Sequence, residues 1–131
     1  MWWWSWTPAL AGGTLSVDSL SVDGLELRAM SCTLDQQLLL GPVTVAAALA
    51  SQKAALDACA PGGEAFQVTF QWASPPSATV DRASAKSAAP CVQKALAAVA
   101  PPVAGTCTVV VLTGPTPAAE AARERMQGLA P

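Results

Sequence analysis

Four cysteines are the side chains in this sequence best suited to chemistry. Cys32, Cys59, Cys91 and Cys107 are widely spaced, and no Cys-x-x-Cys pair occurs among them. The spacing therefore does not match a zinc site or a dithiol redox motif. An even number of cysteines in a small chain favours two disulfides and an exported protein, although four buried free thiols would also satisfy the sequence.

The lack of histidine removes most catalytic arrangements. The chain of 131 residues contains no His, which excludes Ser–His and Cys–His nucleophile pairs and His-ligated metal sites. Its nine acidic residues are spread thinly and do not form an obvious carboxylate pair for acid–base chemistry. No glycine motif for phosphate binding is present. We therefore expect a protein that is not an enzyme, with no catalytic residue, no cofactor and no metal.

Composition narrows the choice of partner. The net charge is −2, from seven basic and nine acidic residues, which argues against binding to nucleic acid. Hydrophobic residues make up 52% of the chain and charged residues 12%. Pro or Gly interrupts each of the longest uncharged stretches, so we expect no transmembrane span. What remains is a small apolar domain with no visible chemistry, and its composition alone does not show what it does.

Residues 1–13 form a Trp-rich segment ahead of the domain. Four of the five Trp residues lie within the first six positions. The following Pro-Ala-Leu-Ala at 8–11 resembles the cleavage site of a signal peptide. We interpret residues 1–13 as a tail, whose aromatic side chains could anchor at an interface, or as a signal-peptide remnant.

A β-hairpin over residues 15–34 opens the predicted domain. Two successive five-residue units begin with Leu-Ser-Val-Asp, and the second ends in Asp23-Gly24, a favoured two-residue type I′ turn. With this turn, the apolar residues of both strands share one face, as the register requires. The facing apolar pairs are Val22 with Leu25 and Leu20 with Leu27.

An αββαβ unit over residues 43–112 follows the hairpin. Val43–Ala58 has helical spacing, with Thr44 as its N-cap. Phe66–Trp72 alternates apolar and polar residues, which is typical of a strand with one buried face. The remaining predicted elements of the unit are a strand at 78–82, a helix at 90–100 and a strand at 105–112.

The order ββαββαβ over residues 14–113 predicts the fold class. Such an order is typical of an α+β domain in which a small antiparallel sheet carries two helices on one face. Residues 114–131 are rich in Ala and Pro, and we interpret them as a C-terminal tail. Thr116-Pro117 would equally allow a weak helix through Met126.

Residues 54–112 resemble a known family. Their successive features are a helix ending in Cys59, the strand Phe66–Trp72, a strand at Ala78–Val80, the pair Cys91-Val92 opening a second helix, and the strand Thr108–Leu112. In this order they resemble the C-terminal domain of TonB-type energy-transducing proteins, in the cysteine-paired version that ends gliding-motility proteins of the AgmX/PglI type. The resemblance implies an exported interaction domain of the bacterial periplasm or envelope.

The expected packing also suggests how the cysteines pair. Two helices that lie antiparallel on one sheet face bring the end of the first near the start of the second. We therefore expect a disulfide between Cys59 and Cys91, which leaves Cys32 to bond with Cys107. Each bond would stabilise the fold by about 3–4 kcal/mol through loop-closure entropy.

Binding by strand addition at a sheet edge is the function that we expect from these features. The edge would come from the last strand or from the hairpin at 19–28, and the partner would be another envelope protein or a second copy, giving a homo-oligomer. The alternative is a structural, self-assembling subunit of the cell surface. The edge residues expected on the last strand are Thr106, Thr108, Val110 and Leu112.

Overall fold

The computed structural model describes residues 13–35 and 41–128. The Trp-rich segment therefore lies, except for Gly13, outside the described residues, as do its two interpretations. The elements in chain order are β1 (Gly13–Val22), β2 (Leu25–Leu34), α1 (Gly41–Ala50), α2 (Lys53–Cys59), β3 (Glu64–Trp72), β4 (Ser77–Ala83), α3 (Ala89–Ala97), β5 (Gly105–Thr113) and α4 (Thr116–Gly128).

Within the described residues, the five strands form one antiparallel sheet in the order β1-β2-β5-β3-β4. Helices α1, α2 and α3 cover one face, which we call the inner face, and α4 covers part of the other, the outer face. Phe66 and Phe70 lie at the centre of the inner core and are fully buried. The predicted α+β class is confirmed.

The hairpin β1–β2 has the predicted register. Val22 pairs with Leu25 and Leu20 pairs with Leu27. The turn residues Asp23 and Gly24 have φ angles of 51° and 84°. Positive φ at both central positions defines the type I′ turn, which Asp-Gly adopts with little strain.

β2 contains a β-bulge where it pairs with β5. Ala29 has a φ of 51°, and the β2–β5 register shifts between Arg28 and Ser31. An extra residue in one strand reverses which side chains point inward. The inward residues of β2 are therefore Leu25 and Leu27 before the bulge and Met30, Cys32 and Leu34 after it.

The helix predicted over 43–58 is two helices. It breaks between α1 and α2, where the Ser51 hydroxyl donates a hydrogen bond to the Ala48 carbonyl at 2.7 Å. A serine that bonds back to the preceding turn competes with helix continuation. The N-cap assigned to Thr44 is also wrong, because α1 begins at Gly41 and Pro42 occupies its first turn, where a missing N–H costs little.

The C-terminal segment forms α4, which is the helical alternative of the two that the sequence left open. Its Ala119, Ala122 and Met126 are buried against the outer face. The covered residues of the sheet are Ala65 of β3 and Val110 and Leu112 of β5. The continuous run Val109–Leu112 was the sequence signal for this second layer, because a strand buried on both faces loses its alternation.

Candidate binding edge

The structure contains two disulfides, in the pairs expected from the sequence. Cys32–Cys107 joins β2 to β5 with a Cα–Cα distance of 4.0 Å, and both residues are buried. Cys59–Cys91 joins the end of α2 to the start of α3, with a Cα–Cα distance of 5.7 Å and with Cys91 exposed. Two structural disulfides are typical of an oxidising, extracytoplasmic compartment.

Mild reductant is expected to open the two disulfides in a fixed order. A thiolate must reach a sulfur atom to exchange with it, and only Cys91 is exposed. Increasing dithiothreitol in native buffer should therefore give a species alkylated at Cys59 and Cys91 while Cys32–Cys107 stays intact. Mass spectrometry of alkylated peptides measures this. Simultaneous opening of both bonds, or earlier opening of Cys32–Cys107, contradicts the prediction.

The structure does not place the expected edge residues of the last strand at an edge. β5 is the middle strand and pairs with β2 on one side and β3 on the other. Val110 and Leu112 are buried beneath α4, while Thr106 and Thr108 lie on the uncovered part of the outer face. The backbone of all four is already hydrogen-bonded within the sheet, so the expectation for β5 is wrong. The hairpin, the other edge considered, supplies β1 as an edge strand.

The opposite edge of the sheet, at β4, is blocked. The Val80 N–H donates a hydrogen bond to Gln93 Oε1 of α3 at 3.0 Å. Asp81 is an extra residue in the ladder with β3, which makes a bulge beside Val80. Bulges and covering side chains are common ways to prevent an edge strand from pairing. Sequence reasoning missed this because Gln93 lies on a separate element.

β1 lacks these protections. It is ten residues long, and Asp18 is its only charged residue, with no Pro, Lys or Arg. From the rest of the described chain, no hydrogen bond reaches its outer edge. A long edge strand with little charge is a template for pairing with another strand.

Near the turn, the geometry of the hairpin fixes which backbone groups of β1 point outward. Residues that flank a two-residue turn exchange both backbone hydrogen bonds, and successive antiparallel pairs alternate between bonded and non-bonded. Val22 and Leu20 therefore direct their N–H and C=O towards β2. Ser19 and Ser21 direct theirs away from the sheet.

The disulfide fixes the direction in the other half of β1. The Cα atoms of Cys32 and Cys107 are 4.0 Å apart, the close spacing of a non-hydrogen-bonded pair. Cys32 therefore directs its backbone groups to β1, where its partner Leu15 bonds back to it. By alternation, Thr14 and Ser16 direct their backbone groups outward.

The side chains of β1 leave apolar surface beside this edge. Its inward residues pack on the inner core but are only partly buried, whereas their partners on β2 are almost fully buried. An added strand could cover this remaining surface and gain hydrophobic free energy in addition to its backbone hydrogen bonds. The four partly buried residues are Leu15, Val17, Leu20 and Val22.

Polar contacts hold the hairpin in place on the outer face. The hydrogen bond from Ser21, and then the Arg28 guanidinium at 3.1 Å, lower the pKa of Glu26 against the opposing effect of burial. Arg28 also contacts Glu120 of α4 at 3.4 Å. A carboxyl group with a lowered folded pKa stabilises the fold above its unfolded-state pKa, and this contribution is lost as pH falls through the folded pKa.

Other kinds of site have little support in the described part of the chain. No three Cys, Asp or Glu side chains among the described residues group together as a metal site would require. Among these residues, no helix has the length and hydrophobicity needed to cross a membrane.

Searches of known protein families, characterised proteins and solved structures found no match to this chain.

Proposed function

We propose that this protein is a non-catalytic, exported interaction module that binds an extended segment of a partner by strand addition at β1. The observation that carries the proposal is the difference between the two sheet edges. β4 is bulged and bonded to Gln93, whereas the ten residues of β1 have no such protection among the described residues.

The chemistry of strand addition fits the groups on this edge. A partner strand would pair with the outward N–H and C=O groups of β1, which gives affinity with little sequence preference. Specificity would come from side chains that pack beside the partly buried inward residues of β1. Thr14, Ser16, Ser19 and Ser21 provide the outward backbone groups.

The compartment is part of the proposal. The two disulfides support an extracytoplasmic location, and we place the protein in the periplasm or among secreted envelope proteins. The resemblance of residues 54–112 to the TonB C-terminal domain supports the same choice. The partner is accordingly an envelope protein or another copy of this chain.

A proline at position 19 tests strand addition. The Ser19 N–H points away from β2, so Ser19→Pro removes an outward donor while leaving the β1–β2 hydrogen bonds in place. We expect capture of the partner from cells that produce the protein naturally to fall about tenfold or more, because the ring also obstructs the incoming strand. Quantitative mass spectrometry of the captured proteins measures the loss.

Ser19→Ala is the matched control, since it keeps the N–H and removes only the hydroxyl. It should retain the partner, and thermal unfolding should show that both variants are folded. Amide exchange of the recovered complex should show new protection at Ser19 and Ser21. A partner that binds Ser19→Pro as well as it binds Ser19→Ala would show that β1 is not the binding edge.

A further inference from the structure

β1 has an inward–outward pattern that reads the same in both directions. Leu15 and Val17 face inward, then Leu20 and Val22, and the phase changes between the two pairs at Asp18 and Ser19, which are both exposed. From 15 to 22, the pattern of partly buried and exposed residues is symmetric about the point between Asp18 and Ser19.

This symmetry makes the strand complementary to itself in the antiparallel direction. Residues that face each other in an antiparallel pair lie on the same side of the sheet. In a strand that alternates regularly, the condition is met when one residue faces the same residue of the second copy. β1 meets it only when Ser16 faces Ser21 and Val17 faces Leu20 of the second copy. In that register, apolar residues face apolar residues and outward backbone groups face outward backbone groups.

We propose that the occupant of the β1 edge is a second copy of this chain, paired across a two-fold axis between Asp18 and Ser19. This inference rests on the proposed function and names its partner. The pairing would join the two sheets into one and cover the apolar side chains that β1 leaves partly buried. A two-fold interface uses the same surface on both copies.

The blocked β4 edge limits this assembly to a pair. Continued growth through sheet edges would need a second free edge on each copy, and the contact between Val80 and Gln93 occupies the other one. The pairing therefore gives a closed dimer instead of a filament or a layer. This argues against the self-assembling surface subunit as far as sheet edges are concerned.

The proposed register brings two negative charges close together, one from each copy. Asp18 faces Ser19 of the second copy, which makes the two Asp18 carboxylates diagonal neighbours on the outer face. Like charges at that distance weaken the pair, and salt screens them. Asp18→Asn should therefore tighten the dimer by a few-fold, and added salt should tighten the wild-type dimer but not the variant.

The first measurement is the oligomeric state of the full oxidised chain. Sedimentation equilibrium from micromolar to submillimolar concentration should show a monomer–dimer equilibrium for the wild type and a folded monomer for Ser19→Pro. A wild-type chain that stays monomeric overturns the inference, as does a dimer that Ser19→Pro leaves intact.

The register is tested by a pair of double variants. Ser16→Glu with Ser21→Lys places opposite charges across the interface twice, whereas Ser16→Lys with Ser21→Lys places like charges there. We expect the dimer dissociation constants to differ by about tenfold or more in favour of the first variant. Asp18 lies beside position 16 in the same strand and favours the lysine there, so monomer stability would change in the opposite direction. Equal dissociation constants overturn the register.

These outcomes separate the inference from the function on which it rests. If the wild type is monomeric but Ser19→Pro still abolishes capture of a different envelope protein, strand addition at β1 stands and self-pairing fails. If Ser19→Pro affects neither self-association nor capture, both proposals fail.

Discussion

Alanine in place of both Cys32 and Cys107 is expected to lower the free energy of unfolding by about 5 kcal/mol. The bond joins residues 75 apart in sequence, for which loop-closure entropy gives roughly 4.5 kcal/mol. Both side chains are buried, so removal of the sulfur atoms also leaves unfilled space in the core. Urea unfolding followed by circular dichroism measures the loss. Because small domains have a total stability of about 5–15 kcal/mol, a largely unfolded variant is within the expected range.

The other disulfide provides the comparison. Cys59 and Cys91 are 32 residues apart, for which the same entropy argument gives roughly 3.7 kcal/mol. Cys91 is exposed, so its replacement by alanine leaves little unfilled space. The double alanine variant of this pair should therefore be the more stable of the two, by about 1–2 kcal/mol. The reverse order would contradict the expectation that the longer loop and the buried sulfur atoms make Cys32–Cys107 the more stabilising bond.

Local features of the fold could be predicted because neighbouring residues determine them. The turn at Asp23-Gly24 fixes the hairpin register, since both residues accept positive φ. Alternation identifies β3, because its residues face a buried layer on one side and a more open one on the other. In both cases a few residues adjacent in sequence are enough to predict the local structure.

The strand order could not be predicted in the same way. Which strand lies in the middle depends on contacts between distant parts of the chain, here β5 with β2 and with β3. The run Val109–Leu112 did carry a signal, because a continuous apolar run is typical of a strand whose two faces are both covered, which implies a second helical layer. The sequence-based prediction of an edge at β5 did not take this run into account.

The candidate binding edge could be predicted only in part. The hairpin was one of the two edges considered, and its strand β1 is the outermost strand of the sheet that the described residues form. The blocked edge could not be anticipated, because the Gln93 side chain comes from a helix that follows β4 in the chain. The self-complementary pattern of β1 changes phase at Asp18 and Ser19, and the five-residue repeat is the only sign of this change in the sequence.

Gly63→Ala is expected to lower the free energy of unfolding by about 2–4 kcal/mol. Gly63 has a φ of 97°, which alone costs a residue with a Cβ about 1–2 kcal/mol. A Cβ there would lie 2.5 Å from Ala118 Cβ and 3.0 Å from the backbone nitrogen of Ala119, both in the first turn of α4. The clash would push α4 off the outer face. Chemical denaturation measures the total effect, and faster amide exchange in α4 locates it.

The adjacent glycine is the matched control. A Cβ on Gly62 would meet no atom within 4 Å, so Gly62→Ala should change stability by less than about 0.5 kcal/mol. Adding Ala118→Gly to Gly63→Ala removes the closest contact but not the cost of the backbone angle. The double variant should therefore lose less than the sum of the two single changes. Additive losses would mean that α4 does not depend on close packing at Gly63, and the second layer of the fold would need another explanation.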